Sequence, residues 1–132
     1  APESLEVKTD AVQLQAAQKA SAAVERLVYG VGAQYGLRSA VSSTVVVTPG
    51  PNWSVSYVDI MGLSNSFTYS SAGKKLTYDG SDTTGGVVVG RSIAAASVAN
   101  GVDGLTISVT VGVTEGRYTA TNTMATYVAY RN

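Results

Sequence analysis

The stretch Leu105-Thr106-Ile107-Ser108-Val109-Thr110-Val111-Gly112-Val113 alternates strictly between apolar and small or polar residues. A period of two sets Leu105, Ile107, Val109, Val111 and Val113 on one face of a strand and Thr106, Ser108, Thr110 and Gly112 on the other. The apolar face needs a cover from elsewhere in the chain. The segment Ser4 to Tyr29 contains neither Gly nor Pro and is dominated by Ala, Gln, Glu, Lys and Leu, residues that favour helix. Within it Leu5, Val12, Ala16, Ala20, Ala23, Leu27 and Val31 advance in steps of seven, four and three, which holds them to one side of a 3.6-residue helix. Val7, Ala11, Leu14 and Val28 spread apolar surface beyond that stripe. The composition predicts a helix over about 4–36, with Ser4 as N-cap and Glu6 at the positive dipole end. Gly30, Gly32 and Gly36 each weaken it by about 1 kcal/mol relative to Ala, which places its end between Tyr29 and Arg38.

Beyond residue 43 the period becomes two, and a β-sheet head is predicted over about 44–132. Thr44 to Thr48 is rich in β-branched residues and stops at Pro49-Gly50-Pro51. Trp53, Val55 and Tyr57 alternate with Ser54, Ser56 and Val58. Phe67-Thr68-Tyr69-Ser70 and Lys75-Leu76-Thr77-Tyr78 flank Ser71-Ala72-Gly73-Lys74, a hairpin pattern in which Gly73 is expected to supply positive φ. Asp79 to Gly86 reads as loop, Val87 to Val89 as a short strand and Ile93 to Val98 as either type. A last strand spans about Thr123 to Arg131. One long helix followed only by strands predicts a single α+β domain over 1–132, with the helix laid across an antiparallel sheet. That order excludes alternating strand–helix units, and neither nucleotide-binding glycine fingerprint is present.

Composition narrows the chemistry. The 132 residues carry nine basic and nine acidic side chains, so no long-range field recruits nucleic acid. There is no Cys and no His, which removes disulfides, thiolate and imidazole chemistry and the usual zinc ligands. No apolar run reaches the roughly 20 residues of a membrane helix, and Ala1-Pro2-Glu3-Ser4 lacks the features of a signal peptide.

The order of elements resembles that of the type IV pilin-like superfamily, in which an apolar membrane-spanning helical half precedes a soluble amphipathic half and a head built on an antiparallel sheet. Leu37-Arg38-Ser39-Ala40 is similar to a Leu/Ile-Arg-x-Ala pattern of minor pilins and type II secretion pseudopilins. Ser66-Phe67-Thr68-Tyr69-Ser70 with Lys75-Leu76-Thr77-Tyr78 resembles their hairpin. Ala99-Asn100-Gly101-Val102-Asp103-Gly104-Leu105-Thr106-Ile107 resembles their lead-in to a long strand, and Thr126 to Asn132 their C-terminal pattern. The apolar prepilin segment with its early glutamate, and the disulfide loop of many major pilins, have no counterpart in this chain. The resemblance implies a filament subunit at the cell surface or in the periplasm, held in the inner membrane before assembly by a segment outside this chain. Its partners would be other pilin or pseudopilin subunits, met through the helix.

Side chains that could carry chemistry have blander readings beside them. Asp79 and Asp82 could begin a calcium site, but two carboxylates fall far short of about six to eight oxygens, and a solvated turn suffices. Trp53, Tyr57, Tyr69, Tyr78, Tyr118, Tyr127 and Tyr130 could form an aromatic platform for sugar, although aromatics on strands pack sheets more often. Ser71 with Lys74 or Lys75 is the nearest Ser–Lys pair, on residues that suit a hairpin turn. Asp59, Asp79, Asp82, Asp103 and Glu115 are scattered without a pairing pattern. No catalytic, cofactor-binding or metal-ligating residue is therefore assigned, no cofactor is expected, and the chain reads as a structural protein rather than an enzyme. An extracellular carbohydrate- or protein-binding β module is the alternative.

Overall fold

A computed structural model of the chain describes residues 2–31, 35–80 and 86–130, with side chains of the N-terminal helix from Asp10 onward. Helix α1 runs Pro2–Tyr29. It begins at a proline, which tolerates the first helical turn because its missing N–H would have no intrahelical partner there. Ser4 therefore lies inside the helix and does not cap it. Gly30, at φ 106°, donates its N–H to the Arg26 carbonyl at 3.0 Å and turns the chain out of the helix. The helix stops well short of residue 36, because a left-handed glycine cannot continue a right-handed helix.

Eight strands follow: β1 Val46–Thr48, β2 Ser54–Val58, β3 Ser64–Ser70, β4 Lys75–Gly80, β5 Val87–Gly90, β6 Ile93–Asn100, β7 Gly104–Glu115 and β8 Tyr118–Ala129. Two short 3-10 turns, Leu37–Ser39 and Ser42–Thr44, lead into them. Thr44 thus belongs to a turn, its hydroxyl bonded to the Val41 carbonyl at 2.6 Å, and not to the first strand. In the β3–β4 hairpin it is Lys74, at φ 51°, and not Gly73, that takes the left-handed conformation. Arg131 lies outside the described residues.

The expected class, an α+β fold with one long helix laid across one antiparallel sheet in the pilin-like manner, does not hold. The chain is mostly β, with 53% strand and 23% helix, and its strands divide into two antiparallel sheets. One sheet has the order β1-β2-β3-β4-β5 and the other β6-β7-β8. The break falls at Arg91-Ser92, where Ser92 adopts φ 61° and sends Ile93 to pair with Val111 of β7. The short strand expected at Val87 to Val89 is β5 of the first sheet, whereas Ile93 to Val98, open to either type in the sequence, forms the strand β6 and so starts a second sheet.

Both sheets and α1 share one hydrophobic cluster. The alternating face of β7 is buried from Leu105 to Val113, as are Val12, Ala16, Ala20, Ala23 and Leu27 of α1, which lies against β7 and β8. The five-stranded sheet contributes Val55, Tyr57, Phe67, Tyr69, Leu76 and Tyr78. Two hydrogen bonds tie its aromatics to β6: Trp53 Nε1 donates to the Ala96 carbonyl at 2.8 Å and the Tyr69 hydroxyl to the Ile93 carbonyl at 2.7 Å. Gly90 lets the layers close, since a Cβ there would lie 2.9 Å from Ile93 Cδ1 and 3.4 Å from the Ala23 methyl.

Leu27 is fully buried and Leu14 is 58% exposed on the same helix. Leu27→Ala is expected to cost about 3 kcal/mol through lost burial and an uncollapsed cavity. Leu14→Ala should stay within about 0.5 kcal/mol. Urea denaturation of the two variants beside the parent chain measures the difference.

Candidate assembly surface

Along α1, a second series lies beside the buried stripe. Leu14, Ala17, Ser21, Val24 and Val28 advance by three and four residues in turn, the spacing that draws a narrow seam along a helix. Leu14 is exposed, and Ala17, Ser21, Val24 and Val28 are half-buried. Val24 and Val28 rest against the edge of the core. No charged side chain belongs to the series. Ala11 is exposed as well, and the Val7 side chain lies outside the described residues.

At its C-terminal end this seam opens into a cleft of about 450 Å³ lined by Val28, Tyr29, Arg38 and the Thr126–Tyr130 segment. The Arg38 guanidinium lies 5.5 Å from the centre of the Tyr29 ring, within reach of a cation–π contact. Tyr29 and Tyr127 are largely exposed. The Tyr130 hydroxyl donates to Asn100 Oδ1, which pins the far wall.

Most of the remaining sequence candidates take structural positions. Trp53, Tyr57, Tyr69 and Tyr78 are buried, with Trp53 stacked on Tyr69 at 5.9 Å and Phe67 tilted against Tyr78 at 5.1 Å. They pack the sheet rather than line a platform. Tyr118 is half-buried on β8. Only Tyr127 and Tyr130 reach the cleft, where Tyr29 and Arg38 join them without any sequence motif to announce it. Ser71 bonds through its N–H and hydroxyl to Asn52 Oδ1, both at 2.9 Å, and Lys74 and Lys75 flank the same turn. Asp79, Asp103 and Glu115 are exposed; Asp82 lies outside the described residues.

Asp59 is the exception among the carboxylates, at 1% exposure. Its Oδ1 accepts the N–H groups of Met61 at 2.9 Å and Leu63 at 3.1 Å, and its Oδ2 accepts the Asn65 amide at 3.0 Å. Asn65 Oδ1 in turn accepts the Tyr78 hydroxyl. The carboxylate thus closes the β2–β3 turn and anchors it to the core. Both oxygens are engaged by local donors, which suits a structural role. Among the described residues no group of three or more acidic side chains gathers to hold a metal.

Burial lifts the Tyr57 hydroxyl far above the ordinary tyrosine range, and nearby Tyr78 and Asp59 add to the effect. Burial also raises Tyr69, and burial followed by Tyr127 raises Tyr130. No family model, curated protein or solved structure matches the chain.

Two outcomes follow. Asp59→Ala strips the Met61 and Leu63 N–H groups of their acceptor and leaves the Asn65 amide only its bond to the Leu63 carbonyl, and should cost about 2–3 kcal/mol, whereas Asp59→Asn keeps acceptor capacity and should cost less; thermal melts separate them. A tyrosine whose folded pKa exceeds its unfolded value contributes stability that is complete below the unfolded pKa of about 10 and is lost progressively as pH climbs from there towards the raised folded pKa. Stability should therefore fall steeply above about pH 10. In a 295 nm titration the Tyr57 tyrosinate should appear only with unfolding.

Proposed function

We propose that the protein is a structural subunit that works by packing, docking α1 against neighbouring subunits of a type IV pilus-like or type II secretion-like filament or tip complex. The observation that supports this most is the uncharged second seam on α1, from Leu14 to Val28, which the fold leaves partly open to solvent. A helix that serves only its own core needs one apolar stripe. A second stripe on the adjoining side suits a contact repeated along an array, where many weak contacts sum. The family resemblance supplies the kind of assembly; the seam supplies the surface.

The partners in this reading are other subunits of the same array, at the cell surface or in the periplasm. The membrane enters only through a segment outside this chain. Among the described residues no helix is long and apolar enough to cross a membrane. The alternative, an extracellular module that binds carbohydrate or protein, draws on the cleft beside Tyr29, Arg38 and Tyr127.

Leu14→Glu separates the two. An exposed substitution should change stability by about 0.5 kcal/mol or less, yet a charge buried without a partner at a subunit contact is strongly unfavourable. Tagged full-length protein carrying Leu14→Glu should be missing from sheared filaments or crosslinked complexes while its domain melts normally. Normal recovery of the variant would overturn the assembly reading and advance the binding module.

A further inference from the structure

The backbone of β8 is addressed to another strand. The turn Gly116-Arg117 closes on the pair Glu115–Tyr118, with Gly116 at φ 61°. In such a two-residue hairpin the closing pair exchanges both of its backbone hydrogen bonds. Tyr118, Ala120, Asn122, Met124, Thr126 and Val128 therefore bond to β7, and the same parity continues to the Tyr130 N–H, which donates to the Asp103 carbonyl at 3.0 Å. Thr119, Thr121, Thr123, Ala125, Tyr127 and Ala129 turn their N–H and C=O groups outward, because β8 ends its sheet. The Thr121 carbonyl accepts the Gln13 side-chain amide at 3.3 Å. No other outward backbone group of β8 has a partner among the described residues.

Long edges are normally blunted by charge, proline, bulges, shortness or a cover. The other sheet ends are treated this way: β1 has three residues and β5 four. On β6 the register shifts between Ile93 and Ala95, and Trp53 and Tyr69 occupy its carbonyls. β8 has 12 residues, Tyr-Thr-Ala-Thr-Asn-Thr-Met-Ala-Thr-Tyr-Val-Ala, with no charge, no Pro and no Gly, and it pairs with β7 without a register shift.

We propose that the occupant of this edge is β8 of a second copy, paired antiparallel about Thr123 to join two three-stranded sheets into one. The proposal goes beyond the assembly reading of the helix seam, since a two-fold strand pair closes on two copies whereas the seam would serve the array. Pairing about Thr123 sets Thr121 opposite Ala125 and Thr119 opposite Tyr127, all edge-facing and uncharged. The net charge of zero sets no repulsion between copies. Each end carries charges of both signs: exposed Arg38 and Asp103 lie at the Tyr127 end, and exposed Glu115, which accepts the Gln15 amide at 3.2 Å, and Arg117 lie at the hairpin end, so the two ends can meet with Arg38 toward Glu115 and Arg117 toward Asp103. Antiparallel pairing brings the hairpin end of each copy toward the cleft end of the other. The Gln13–Thr121 contact places the α1 seam along this edge, so the two helices flank the new pairing on one side of the joined sheet.

The experiment is sedimentation equilibrium of the 132-residue chain from micromolar to millimolar concentration, with amide exchange followed residue by residue. A reversible dimer is expected. The amides of Thr121, Thr123 and Ala125 should gain protection as concentration rises, whereas those of Ala120, Asn122 and Met124 are protected throughout. Thr123→Pro removes an outward N–H and no backbone bond to β7, and it loses the 2.7 Å hydroxyl contact with Thr110 of β7 that Thr123→Val loses too; Thr123→Pro should weaken the dimer at least tenfold, and Thr123→Val should leave it unchanged. A chain that stays monomeric, or odd-numbered amides that exchange fast in the associated state, overturns the proposal, and the exchange result holds even if Thr123→Pro fails to fold. Association abolished by Leu14→Glu but indifferent to Thr123→Pro would retain the helix seam and discard the strand pairing. The reverse pattern would retain the strand pairing and discard the seam.

Discussion

The structure depends on how closely α1 can lie against β7 and β8. Ala16, Ala20 and Ala23 are essentially without exposure, and their short side chains let the helix backbone approach the sheet closely along its middle turns. Gly90 extends the same economy to the neighbouring strand, where any Cβ would crowd Ile93 and Ala23. The bulk that fills the interface comes instead from the sheet, through Ile107, Val109 and Val111 of β7. Small residues facing large ones give an interdigitated core of normal density. The helix buries Val12 and Leu27 towards the two ends of its core-facing stripe and alanines between them, while Leu14, Val24 and Val28 lie on the adjoining flank.

Close approach of the helix to one hairpin also determines what the other sheet does. α1 covers β7 and β8 and touches β5, and its Arg26 donates to the Val89 carbonyl at 2.5 Å. It cannot also cover β1 to β4. Those strands bury their aromatics against the rest of the core, and Trp53 and Tyr69 satisfy their polar ends on β6 carbonyls. That contact closes the β6 end of the three-stranded sheet. The β8 end, on the side of the helix seam, is left as the open one.

Legibility in the sequence followed periodicity. The alternation of β7 and the helix-former composition before Tyr29 were plain, because each depends on one face meeting one partner. Gly30 ended the helix where the glycine cluster begins, but nothing local showed that the helix would stop there and not at Gly36. The division into two sheets was hidden in Ile93 to Asn100, whose alanines suit helix and strand alike. Its decision was made by β7, whose far side offered a free ladder. The cleft was equally hidden, since Tyr29 and Arg38 meet Tyr127 and Tyr130 only through the tertiary fold. The seam did carry a signal, a three-four spacing from Leu14 to Val28, but the adjoining core stripe masks it unless burial is known.

The interior and the β8 edge obey opposite rules, and the contrast gives the edge its meaning. Among the described residues no buried side-chain nitrogen or oxygen lacks a hydrogen-bond partner. Even the carboxylate of Asp59 is satisfied three times over. Such completeness reflects the penalty of desolvating an unpaired polar group, about 1–3 kcal/mol for each. Water removes that penalty at an exposed edge, so stability alone places no demand on β8. Resistance to unwanted pairing does, and a single lysine or proline among its outward positions would supply it at little cost to the fold. Thr119, Thr121, Thr123 and Ala125 provide neither, although the chain shortens or occupies its other sheet ends. An edge that is long, regular and uncharged in a molecule otherwise careful with its polar groups is one kept available for a strand.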